Sequence, residues 1–195
     1  MRYYLKWMPT LALCLVCACA CASAPRIPAT CNLQGFLVSR PTQEGWQVVS
    51  QTAEQWVMAK SGDFMGDTMA FQASVIILPT FNTSQELLRY AESGLRRELD
   101  RARLRVLQLK VRSLDVQGQA CAIAYLETAE RATAVGTGSP VNTMLETLTL
   151  TCPHPKSPTR GISSVYSHRH LPEDKNLAFE QIGTALLSSL KFGPP

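Results

Sequence analysis

The chain is predicted to fold as an α+β protein, a mainly antiparallel sheet flanked by two amphipathic helices. Three observations lead there. Seven or so strand-like segments follow one another across short turns, an order that suits antiparallel pairing. Two segments switch from a period of two to helical spacing, each with one apolar face that a sheet could cover. No similarity at a period of 20–50 residues marks a repeat architecture.

The elements follow in chain order. Arg2 and Lys6 precede a short apolar core, Leu11 to Ala18, and small residues come next. This is the layout of a secretory signal. The core is shorter than the ~20 apolar residues a membrane span needs. Residues 22–32, with Pro25 and Pro28 and no periodicity, read as part of an extended linker. Phe36-Leu37-Val38, Gly45 to Val49 and Gln55 to Lys60 are strand candidates, and Thr68 to Leu78 is a longer one ended by Pro79. Thr83-Ser84-Gln85-Glu86 forms a capping box, in which the Thr83 hydroxyl accepts from the Glu86 amide. Leu88, Ala91, Leu95, Leu99 and Ala102 give the helix that follows its apolar stripe, and Glu92 to Arg96 adds an i,i+4 pair.

Arg105 to Val111 alternates as a half-buried strand, and residues 116–119 turn the chain into the next one. Ala120 to Glu130 and Val141 to Cys152 flank Gly136-Thr137-Gly138-Ser139, a hairpin tip. A hairpin centred near Gly136–Thr137 sets Cys121 opposite Cys152. The same register opposes Glu127 to Glu146, an unfavourable like-charge pair unless both are solvated. Gly161 to His168 is one more strand. Pro172-Glu173-Asp174 opens the last helix, whose apolar face is Phe179, Ile182, Ala185, Leu186 and Leu190.

Val16-Cys17-Ala18-Cys19 resembles the bacterial lipobox, with Cys17 where a small residue is more usual. The resemblance implies cleavage before Cys19 and a diacylglyceryl group on its thiol; Cys21 is the second choice. The chain then divides into a signal peptide (1–18), a lipidated N-terminus and linker (19–34) and a single domain (35–195). Two or three acyl chains at ~0.8 kcal/mol per buried methylene would hold the protein on a membrane. Ala20 after Cys19 implies the periplasmic face of the outer membrane, where Asp would imply retention at the inner one. The alternative is cleavage after Ala22, giving a soluble secreted or periplasmic protein.

Pro41, Gly45-Trp46, the central helix, the Gly118 turn into a long hairpin and Ser188-Ser189-Leu190-Lys191-Phe192 together resemble the photosystem-subunit-P, Mog1 and DcrB group of α/β/α sandwiches. The resemblance implies that Trp46 and Phe192 plug the core. It carries over no catalytic residue, and it implies a role in assisting or stabilising protein assemblies.

Composition narrows the function. The chain of 195 residues has 19 Lys and Arg, 15 Asp and Glu and a net charge of +4. About 175 residues remain after processing, in keeping with one domain of ~100–200 residues. Losing Arg2 and Lys6 brings the net charge to +2, which disfavours nucleic acid as a partner. The run from Arg96 to Arg105 reads as a solvated helix face, with contact to anionic lipid as the alternative.

The candidate chemistry is sparse. His168-Arg169-His170 puts two imidazoles on one face of a strand, and Cys152-Pro153-His154 adds a thiol and a third imidazole. These are weak candidates for a Zn²⁺ or Cu²⁺ site. The blander expectation is that His168 and His170 face water at a strand end and that His154 lies in a Pro-rich loop. Cys121 and Cys152 read as a structural disulfide worth roughly 3 kcal/mol, while Cys31 pairs with Cys21 or with a partner. Glu127 and Glu146 could do acid–base work, but an exposed hairpin edge is the ordinary explanation. Gly136-Thr137-Gly138-Ser139 lacks the Lys of a phosphate loop. Asp63 and Asp67 lack the spacing of a calcium loop.

The expectation is therefore a non-enzymatic, membrane-tethered envelope lipoprotein with no cofactor and no catalytic residues. It is held by its lipid anchor and acts through contacts with an envelope protein. The alternative is a ligand- or metal-binding module.

Overall fold

A computed structural model describes residues 27–62, 66–99, 103–133 and 141–194. Its strands are β1 (Thr30–Leu33), β2 (Phe36–Ser39), β3 (Gln47–Gln51), β4 (Gln55–Ser61), β5 (Thr68–Ile77), β6 (Leu104–Val116), β7 (Gln119–Thr133), β8 (Val141–His154), β9 (Ser157–His170) and β10 (Lys191–Phe192). The helices are α1 (Ser84–Glu98) and α2 (Phe179–Ser188). The architecture is α+β and every strand pairing is antiparallel.

There are two sheets rather than the single sheet expected. Seven strands form the larger, in the order β3-β4-β5-β9-β8-β7-β6, and three form the smaller, in the order β1-β2-β10. β1 lies in the stretch read as linker. Its alternation, Cys31 and Leu33 buried between exposed Thr30 and Asn32, is only four residues long and easily lost beside Pro25 and Pro28. Two tight turns build the β1–β2 and β6–β7 hairpins. Gln34-Gly35 and Gln117-Gly118 both carry positive φ at both positions, the geometry that matches the twist of paired strands.

The two helices lie on opposite faces of the large sheet. On β7, Ala122 packs with Leu87 and Ala91 of α1, while Cys121, Ile123 and Tyr125 point into the main core. On α1, Thr83 Oγ1 accepts from the Glu86 amide at 3.2 Å, as the capping box requires; Glu86 reaches one residue further back, to the Asn82 amide. Glu92 and Arg96 pair at 2.8 Å. The buried positions on α1 are Leu87 and Ala91. On the other face, Gly183 lets α2 lie directly on the sheet. A Cβ there would fall within 2.6 Å of Leu148 and 2.8 Å of Tyr166. α2 begins later than expected, because Pro172–Asp174 forms only a 3-10 turn and Phe179 opens the helix proper.

Trp56, Phe36, Phe71, Phe179 and Tyr166 are the largest fully buried side chains of the main core. Trp46 is buried in it, and Phe192 packs half-buried against it. Cys121 and Cys152 are bonded across β7 and β8. Cys31 is a buried free thiol whose burial pushes its pKa up, which keeps it unreactive. Cys19, Cys21 and the Gly136–Ser139 tip lie outside the described residues. No helix among the described residues is long and apolar enough to cross a membrane.

Candidate metal centre

β9 is the middle strand of the large sheet, paired on both sides. Its burial alternates strictly: Ile162, Ser164, Tyr166, His168 and His170 face the core and the residues between them do not. His168 and His170 are thus carried inward by the same period of two that buries Ile162 and Tyr166. They are buried, at 8% and 0% exposure, not turned to water as the sequence suggested. The strand end that looked solvated is roofed by Phe179, whose ring stacks on His168 at 6.4 Å and on Tyr166 at 5.2 Å.

Register supplies the third member. Glu146 on β8 is directly opposite His168, and Glu127 on β7 is directly opposite Glu146. The opposed carboxylates are not at an exposed edge: Glu146 is 2% exposed, and β7 and β8 are interior strands. Two groups relieve the like-charge contact. The Tyr125 hydroxyl donates to Glu146 Oε1 at 2.6 Å and lies 3.3 Å from Glu127 Oε2. Lys175 Nζ donates to Glu127 Oε1 at 2.7 Å and stands 4.0 Å from Glu146 Oε1. Burial, then the bond to Glu146 and the charges of Glu146 and Glu127, push the Tyr125 phenol far above its usual range.

One ligand atom from each of Glu146, His168 and His170 lies within 4.8 Å of the others. The ring protons can be placed from the outer partners. His168 Nε2 faces Asp67 Oδ1 at 3.0 Å, and His170 Nδ1 faces the Leu171 carbonyl at 2.6 Å. A carboxylate and a carbonyl only accept, so each of these nitrogens donates. In the neutral rings the remaining nitrogens, His168 Nδ1 and His170 Nε2, then carry lone pairs. Both are buried without a hydrogen-bond partner among the described residues, and so is Glu146 Oε2. His170 Nε2 and Glu146 Oε2 are 3.2 Å apart, within ion-pair distance, yet make no hydrogen bond. Each residue of the cluster therefore carries a buried electron-pair donor with no hydrogen-bond partner among the described residues. Leaving a buried polar atom unsatisfied costs about 1–3 kcal/mol. A cation among them removes that cost three times over.

The outer partners fit the same chemistry. A metal-bound His ordinarily donates its other ring N–H to a carboxylate or a backbone carbonyl, which fixes the ring and raises its basicity. Asp67 and Leu171 stand in those two positions. Two imidazoles and a carboxylate are also a donor set that transition metals accept with positions left open.

The other candidates separate from this cluster. His154 sits eight residues along β8 from Glu146, about 27 Å away at strand rise. It is buried, with Nε2 on the Gly193 carbonyl, Nδ1 accepting from the Lys156 amide and Phe36 and Phe192 against its ring. Cys152 is consumed by the disulfide. Sequence reasoning missed Glu146 as a ligand, and Asp67 and Tyr125 as its supports. The hairpin register already pointed at Glu146; what it lacked was the pairing of β8 with β9. The chain matches no known protein family and no curated protein by sequence.

Proposed function

We propose that this protein is an envelope lipoprotein whose domain binds a transition-metal ion between Glu146, His168 and His170, without catalysing a reaction. The observation that carries the reading is the close approach of Glu146, His168 and His170, each with a buried donor atom that has no hydrogen-bond partner among the described residues, while the other ring nitrogens are already anchored. The burial of all three residues favours holding an ion over turning over a substrate. The Cys121–Cys152 bond supports export, since disulfides persist in oxidising compartments. Export in turn agrees with lipidation at Cys19 and an outer-membrane site facing the periplasm. The helix on each face of the large sheet supports the likeness to the photosystem-subunit-P, Mog1 and DcrB sandwiches. The β1-β2-β10 sheet departs from the expected pattern. An assembly role through a protein partner is the second reading that this likeness favours.

Mass spectra of the membrane-extracted protein test the proposal. Under denaturing conditions the expected chain starts at Cys19 and carries acyl groups; under native conditions it retains one metal ion, lost in a His168→Ala/His170→Ala variant. A chain starting at Ser23 without lipid overturns the tether. A metal-free native spectrum after incubation with Zn²⁺ and with copper overturns the centre.

A further inference from the structure

Two methionines stand in register with the same cluster. Met69 on β5 is directly opposite His168, and Met144 on β8 is directly opposite His170. Directly opposed residues share a face of the sheet with Cβ atoms about 4.5–5.5 Å apart, and diagonal neighbours stay within reach of long side chains. Each imidazole thus has a methionine as its cross-strand neighbour on the core side. Met69 packs half-buried against the main core. Met144 lines a cleft of about 380 Å³ with Ala129, Glu130 and Pro172. Methionine is the most adaptable apolar side chain, with three rotatable bonds and a polarisable sulfur.

The inference rests on the metal centre proposed above and names its ion. We infer that the cluster is a copper site, in which Met69 and Met144 join His168 and His170 as ligands to Cu(I). Glu146 provides the balancing negative charge. The reasoning is one of ligand softness. Imidazole serves zinc and copper alike, so the two histidines do not discriminate. Thioether sulfur selects Cu(I), whereas a structural zinc site takes thiolate, imidazole or carboxylate. A centre built for zinc has no use for two methionines in register with its histidines. A centre built for Cu(I) needs soft donors, and none of the domain's thiols is at hand: Cys121 and Cys152 are bonded to each other, and the buried Cys31 belongs to β1 in the smaller sheet. The unpartnered lone pairs of His168 Nδ1 and His170 Nε2 complete the set.

The test uses the disulfide-intact, untagged protein. Cu(I) affinity is measured anaerobically against bicinchoninate, and Zn²⁺ affinity separately, for the wild type, Met69→Leu, Met144→Leu and the double variant. Leu keeps the volume and removes the sulfur. The expected result is a loss of at least about tenfold in Cu(I) affinity for each Met removed, about 1.4 kcal/mol apiece, with Zn²⁺ affinity unchanged. X-ray absorption at the copper edge of the wild type, which needs no variant to fold, is expected to show sulfur scatterers. Unchanged Cu(I) affinity in the double variant, or a shell of nitrogen and oxygen alone, overturns the copper assignment and leaves the metal centre standing. Binding of neither metal removes the centre itself, and this assignment with it.

Discussion

The two ends of the β7–β8 ladder share a register and a sheet face, and hold opposite chemistry. At one end Cys121 and Cys152 face each other with Cα atoms 4.5 Å apart, joined covalently among Ile123, Leu150 and Ile162. At the other, Glu127 faces Glu146, with Tyr125, Lys175 and two histidines crowded around them. A slip of one residue would turn every one of these side chains to the other face. The charged end is thus kept in a pairing that its own carboxylates disfavour. The candidate site is the stretch of a well-specified ladder whose local pairing is unfavourable and is kept in spite of that.

The largest effect is expected at the bonded end. Replacing Cys121 and Cys152 with Ala should lower the unfolding free energy by about 3 kcal/mol, read from urea unfolding of metal-free protein, because the bond closes a loop spanning 31 residues. Metal retention by the folded variant should survive, since β8–β9 and β5–β9 pairing holds the histidines without the disulfide. Loss of metal binding in a variant that still folds would mean that the two ends act as one unit.

The charged end should answer with the opposite sign. In metal-free protein, Glu146→Gln is expected to raise stability by about 1–3 kcal/mol, the cost of an unsatisfied buried group. The amide nitrogen donates to the His170 Nε2 lone pair, the amide oxygen keeps the Tyr125 bond, and the repulsion from Glu127 is gone. The same variant should hold metal poorly. A metal-free Glu146→Gln protein less stable than the wild type would show that the carboxylate is already satisfied without a cation.

Much of this was legible in the sequence, and the part that was not has a physical cause. The β7–β8 register could be written down from the position of the Gly136–Ser139 turn, so the Cys and Glu pairs were both in view. The period-two patterns of β4 and β5 and the capping box at Thr83 marked their elements in the same way. The β8–β9 register could not be read off so simply. His154 pairs with Ser157 beside the turn, and the ladder then shifts between Pro153 and His154. Extending the pairing from the turn without that bulge sets Glu146 opposite Val165, on the other face, and the metal centre disappears. A bulge leaves no compositional mark beyond the prolines that surround it. Asp67 lay further off still, 101 residues from His168, joined only through β5–β9 pairing. The small sheet was missed because β1 and β10 are four and two residues long, too short for alternation to register.

The smallest effect belongs to Tyr125, which lies two pairs in from the two carboxylates, on the same face and opposite Leu148. Its phenol is raised well above the ordinary value of about 10, and burial alone pushes Tyr166 up to about 12. In the unfolded chain both ionise near pH 10; in the folded chain both keep their protons beyond it. Above pH 10 the folded state binds more protons than the unfolded one, so its stability falls as pH rises. The contribution is complete below pH 10 and is lost at about 1.4 kcal/mol per pH unit for each phenol. Tyr125→Phe removes one of the two, because Phe ionises in neither state. The slope of unfolding free energy between pH 10 and 12 should then fall by about half, and Tyr166→Phe should take most of the remainder. The slope separates this from the lost hydrogen bond to Glu146, which lowers stability at every pH and leaves the slope alone. An unchanged slope in Tyr125→Phe would mean that the phenol is neither buried nor held between the carboxylates. The like-charge pair at this end of the ladder would then be kept apart by Lys175 alone.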